Sequence, residues 1–205
     1  MPLDPNTRYG EHYWPGGVMF EVSPKNAISE LIERIEKEDS DFREYRGWVP
    51  SHTWLVIDEH TGIEAAASGI RYFELSKYFD DPTCQIVSYR PAGLTVAAIQ
   101  QILGLAEQLS EEKLGYDYGA LAGDTIEGLI GIDNLIPELK AVADPLHSSH
   151  RLFCSALVST LLKGTAQYQD VDLFKTYTAS KISPLRLMMQ FPYDAKFTIK
   201  EVQNA

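Results

Sequence analysis

Ser51-His52-Thr53-Trp54-Leu55-Val56-Ile57-Asp58 and Arg151-Leu152-Phe153-Cys154-Ser155-Ala156-Leu157-Val158 are the two stretches that decide how this chain is read. The first is a short β-rich run that opens on an imidazole. The second starts a segment whose apolar residues fall at helical spacing from Phe153 to Leu162, with a thiol in its first turn. The thiolate is the reactive form of cysteine. A helix N-terminus and a neighbouring imidazolium each lower a cysteine pKa from its free value of about 8.5. A strand-borne histidine and a helix-opening cysteine are therefore the raw material of a nucleophile and its base. Read from the residues alone, a buried helix-start cysteine and an ordinary hydrogen-bonded histidine answer the same pattern.

Outward from His52, Asp58-Glu59-His60-Thr61-Gly62 reads as the turn of a hairpin between Trp54–Ile57 and a second run, Ile63–Ile70. Glu64 lies across that hairpin from His52. An even separation about an even-register turn puts both side chains on one sheet face, where a carboxylate can hold an imidazole's orientation and tautomer. A flat hairpin with a five-residue loop would offset the two by roughly four residues, on the order of 13 Å, so coiling, a bulge or a shifted register is required. Glu64 as an exposed strand residue is the alternative. Cys84-Gln85-Ile86-Val87-Ser88-Tyr89 reads as a third neighbouring strand, with Cys84 as a small buried hydrophobe.

Elsewhere, Val18–Val22 reads as a first strand, and Ala27, Ile28, Leu31, Ile32 and Ile35 mark an amphipathic helix. Leu94-Thr95 begins a long helix with Val96, Ile99, Ile102, Leu103, Ala106 and Leu109 as its buried stripe and Gly115 at its end. Lys163-Gly164 closes the cysteine helix, Ser183-Pro184 is a capping turn, and Phe197-Thr198-Ile199 reads as a closing strand. The 205 residues fit a single domain, with residues 1–15 loosely ordered.

A formal charge of -11 disfavours nucleic acid, whose phosphates would repel this surface. Two cysteines give no disulfide framework and point to reduced thiols. The first seventeen residues are polar and rich in Pro and Gly, and Val18–Val22 is too short for a signal-peptide core or a membrane span. A cytoplasmic location is the expectation. His147, His150 and Cys154 fall near one another, but a zinc site wants a fourth ligand and none is close in sequence, so loop histidines are favoured over ligands.

Taken in order, Ser51-His52, Ile63-Glu64-Ala65, Gly115-Tyr116-Asp117-Tyr118-Gly119 and Phe153-Cys154-Ser155-Ala156-Leu157-Val158 resemble the circularly permuted papain-like cysteine hydrolases, relatives of the NlpC-type cell-wall peptidases. The histidine precedes the cysteine by about a hundred residues, which is the permuted order, and the resemblance spans Gly16 to Ser183. It implies an α+β fold, a papain-like antiparallel sheet packed against helices, with the nucleophile at a helix N-terminus. It implies further that Cys154 is the nucleophile, His52 the general base and Glu64 the third residue, while Tyr116 shapes the oxyanion or substrate site. The implied reaction is hydrolysis of an amide or peptide bond through an acyl-enzyme, without a cofactor, on a small peptide, amide or cell-wall fragment. Where family members often carry Cys-Ser-Glu-Leu this chain has Cys154-Ser155-Ala156-Leu157, and residues 120–150 look like an insertion. The rival expectation is a non-catalytic binding or structural protein, such as a phage or assembly component, that keeps the fold and uses the three residues for packing.

Overall fold

The structure, a computed structural model, describes residues 3–22, 41–42, 44–66, 69–111 and 154–201. Its centre is a six-stranded antiparallel sheet of β1 (Val18–Val22), β2 (His52–Val56), β3 (Thr61–Ala66), β4 (Gly69–Glu74), β5 (Gln85–Pro91) and β6 (Tyr193–Lys200), in the order β4-β3-β2-β1-β5-β6. The described helices are α1 (Ser76–Phe79), α2 (Val96–Glu111), α3 (Cys154–Lys163), α4 (Asp172–Thr176) and α5 (Pro184–Gln190). The class is α+β. None of these helices is long and apolar enough to cross a membrane.

The sheet is covered on both faces, which is why its central strands read as apolar runs and not as alternation. Val18, Phe20, Leu55, Ile63 and Ala65 share one core with Ala98 and Ile102 of α2 and with Ala156, Leu157, Leu161 and Leu162 of α3. Met19, Trp54, Val56, Phe73 and Ile86 form a second core, closed by Phe79 of α1 and by Tyr13. From Cys154 to Ser159 every residue of α3 is buried, as suits a helix laid against β2 and β3. Ser183 caps α5 by accepting from Arg186 N–H at 3.2 Å, with Pro184 in the first turn.

Several elements differ from the sequence expectation. Ile63–Ile70 is two strands, because the chain reverses after Ala66 and β4 returns along β3 with Glu64 opposite Arg71. That reversal fills the place expected for the Cys84–Tyr89 strand. The latter forms β5 instead, on the other side of β1 and running on to Pro91, while β6 extends from Tyr193 along it. Val96 is 71% exposed, and the buried stripe of α2 is Ala98, Ile102 and Ala106. The segment before β1, expected to be loose, is tied down by the buried Tyr13 and Trp14 and by Gly16 N–H donating to Val56 at 2.9 Å. The helix expected over 27–35, Gly115 and the 120–150 segment lie outside the described residues.

Replacing Leu157, fully buried between α3 and the sheet, by alanine is expected to lower stability by about 2–5 kcal/mol. Val96→Ala on the exposed side of α2 is expected to change it by under about 0.5 kcal/mol. Urea unfolding midpoints check both, and equal effects would contradict the core described above.

Candidate active site

The hairpin solves the offset that the sequence poses. Ile57 N–H donates to Thr61 O at 2.9 Å, and the Asp58 carboxylate accepts from His60 N–H and Thr61 N–H at 2.8 Å each, so the connection is the three residues Asp58–His60. Thr61 and Gly62, assigned to the loop from sequence, belong to β3. The register, Leu55 with Ile63 and Val56 with Gly62, then sets Glu64 opposite Trp54 and leaves His52 only two residues away on the diagonal. His52 Nε2 meets Glu64 Oε2 at 3.0 Å.

Glu64 has no solvent exposure. Tyr78 O–H donates to its Oε2 at 2.5 Å, and its Oε1 accepts from Lys77 Nζ at 2.6 Å and from Arg71 Nε and Nη2 at 2.9 and 2.7 Å. Burial alone would raise its pKa, but the hydrogen bond and charge of His52, with Lys77 and Tyr78, hold the carboxyl well below the usual carboxylate range. Tyr78 is shifted the other way, upward, by burial and by the charges of Glu21 and Glu64, so it acts as a neutral donor. Its ring stacks on Trp54, with centroids 5.6 Å apart and planes at 15°.

Cys154 is the first residue of α3 and is 1% exposed. Its sulfur is close enough to the His52 imidazole to raise the ring's pKa. With Nε2 committed to Glu64, Nδ1 is the ring nitrogen left for sulfur. The contact lies beyond Leu55–Ile63, the last rung of the β2–β3 ladder, where the two strands no longer pair. Burial pushes the imidazole toward neutrality, yet its interactions with the Cys154 sulfur, its hydrogen bond to Glu64 and the charge of Glu21 outweigh it, and its pKa is raised to about 10. A pKa so raised keeps the ring an imidazolium at neutral pH, between the Glu64 carboxylate and the Cys154 sulfur.

The structure thus brings together Cys154, His52 and Glu64. Tyr116, His147 and His150 lie outside the described residues. Sequence reasoning missed Arg71, Lys77 and Tyr78, because β4 was not separated from β3 and a four-residue helix has no periodicity to detect. The small-residue sequence Ala67-Ser68-Gly69 is a signal that would have divided the run and set Arg71 opposite Glu64. Cys84 is buried, as expected, and no disulfide joins it to Cys154. Comparison with protein-family models, with curated proteins and with solved structures finds no match to this chain.

Glu64 and His52 give stability opposite pH limits. A carboxylate with a lowered folded pKa contributes fully above its unfolded value of about 4.3 and loses that contribution as pH falls. An imidazole with a raised folded pKa contributes fully below about 6.5 and loses it as pH rises toward about 10. The stability gap between wild type and Glu64→Gln, followed by urea midpoints, is therefore expected to be largest near pH 5–6 and to narrow toward either limit. A gap independent of pH would contradict the charged pair.

Proposed function

We propose that this chain is a thiol hydrolase of papain-like organisation that cleaves amide bonds, with Cys154 as nucleophile, His52 as acid and base, and Glu64 as the residue that orients and charges the ring. The observation that carries the reading is the line from the Cys154 sulfur to the His52 imidazole, which is hydrogen-bonded in turn to a carboxylate saturated with donors. A residue pair kept only for packing has no need of a buried carboxylate served by three further side chains, since such a charge is stable only when paired.

In the reaction the Cys154 thiolate, paired with the His52 imidazolium, attacks the carbonyl carbon, and His52 gives its proton to the departing amine as the C–N bond breaks, leaving a thioester and a neutral imidazole. Water then loses a proton to His52 as its oxygen attacks the thioester carbon, and the C–S bond breaks to release the acid and the thiolate. In this reading the backbone N–H of Cys154, at the start of α3, stabilises the developing oxyanion. Glu64 keeps Nε2 protonated and the ring turned so that Nδ1 serves the sulfur through both halves. The cycle balances without a cofactor. The substrate belongs to the class that the resemblance implies: a small peptide, an amide or a cell-wall fragment.

One observation favours the non-catalytic reading, in which the fold serves binding or assembly: the Cys154 thiol is 1% exposed, and a substrate carbonyl must reach it. Iodoacetamide labelling separates the two. Cys154 in the native protein is expected to alkylate at pH 6.5 at least roughly tenfold faster than an ordinary thiol, and to slow to the ordinary rate in His52→Ala. Peptide mass spectrometry reads both, with Cys84 as the internal control. Labelling of Cys154 only after unfolding would sink the hydrolase reading and leave the binding protein.

A further inference from the structure

Glu21 is the second buried carboxyl of the sheet, and it stands on β1 on the rung opposite His52. It is 2% exposed. Its neighbours along that sheet face, Met19 and Trp54, are core residues, so packing alone would favour an apolar side chain here. Its Oε1 accepts from the Cys84 thiol at 3.2 Å, while among the described residues its Oε2 has no hydrogen-bond partner. A carboxylate with one oxygen unfilled in a dry site is costly, and a compensating charge nearby or an added proton relieves that cost.

Both remedies lie within reach. His52 faces Glu21 from β2, Glu64 from β3 and Arg71 from β4 on the same sheet face, and Lys77 and Tyr78 of α1 close over Glu64. On the other side stand Cys84 and Asp81 before β5, and Lys200 of β6, whose ammonium is taken by the backbone carbonyls of Tyr78, Phe79 and Asp81. With His52 protonated, that ring, Arg71 and Lys77 are three cations against the carboxylate of Glu64. A further negative charge brings the cluster nearer to balance, and Glu21 is placed to supply it.

We propose that Glu21 is a positioning residue for His52: a second carboxyl that stabilises the imidazolium when ionised and takes up a proton, in the pocket it shares with Cys84, when that charge is lost. Burial raises the pKa of Glu21, and His52 and the Cys84 thiol oppose the rise, which is the sense such a coupling requires. Its consequence for turnover rests on the thiol-hydrolase reading. Each time His52 surrenders its proton to a leaving group, the electrostatic support for an ionised Glu21 falls away, and each time the ring regains a proton that support returns. The coupling itself belongs to the resting protein.

The test follows two nuclei by NMR across pH: the side-chain carboxyl carbon of Glu21 in wild type and the His52 ring nitrogens in wild type and Glu21→Gln. Glu21 is expected to titrate above the ordinary carboxylate range, and His52 in Glu21→Gln to lose roughly threefold or more in proton affinity, with the pH profile of Cys154 alkylation moving with it. Cys84→Ala, which removes the donor to Oε1, is expected to raise the proton affinity of Glu21 further. An unmoved His52 in folded Glu21→Gln, or a Glu21 that titrates like an exposed carboxylate in wild type, overturns the proposal. The wild-type titration decides the matter if the variants do not fold. Slow alkylation of Cys154 beside an intact coupling would sink the hydrolase reading and leave the coupling standing.

Discussion

A carboxylate shut away from solvent persists as an anion only where donors replace its lost water, and the structure is arranged around meeting that condition for Glu64. Its two oxygens accept from His52 on β2, Arg71 on β4 and Lys77 and Tyr78 on α1. Three elements are thereby fixed to a fourth. The three-residue loop at Asp58–His60 sets the register that puts Glu64 under the imidazole, and the reversal after Ala66 brings Arg71 alongside. Trp54, stacked on Tyr78 and edge-on to Phe73, walls the cluster from below.

The imidazole inherits its charge from this arrangement. A ring as enclosed as His52 would ordinarily be neutral, and it stays protonated because the Glu64 anion on one side and the Cys154 sulfur on the other outweigh desolvation. Cys154 arrives from the helical layer, whose packing on β2 and β3 is secured by Leu157, Leu161 and Leu162, so that helix placement and thiol placement are one constraint. The same logic gives Glu21 its interest. It occupies the rung on the other side of His52 and is the least satisfied charged group of the cluster.

How much of this was legible in the sequence follows from which signals are local. β1, β2 and the helix that opens on Cys154 announce themselves by apolar runs and spacing, and the even separation of His52 and Glu64 correctly puts them on one face. Loop length was misread because Thr61 and Gly62 look like turn residues while Asp58 closes the turn by capping two amides. β4 was hidden inside Ile63–Ile70, since an apolar run does not reveal where it folds back. The donors to Glu64 come from a strand and a helix whose positions depend on that reversal, so no local pattern marks Arg71, Lys77 or Tyr78. Glu21, in an apolar strand, gave no sign of its surroundings.

Sulfur, imidazole and carboxylate form one coupled unit in which the ring is charged at neutral pH. The most direct measurement is the ¹⁵N spectrum of the His52 ring as a function of pH, in wild type and in Cys154→Ala. Both ring nitrogens of the wild type are expected to carry protons at neutral pH and to lose one only as pH rises toward about 10, and removing the thiol is expected to lower this midpoint. A ring already neutral at pH 7, or a midpoint indifferent to Cys154, would contradict this coupling.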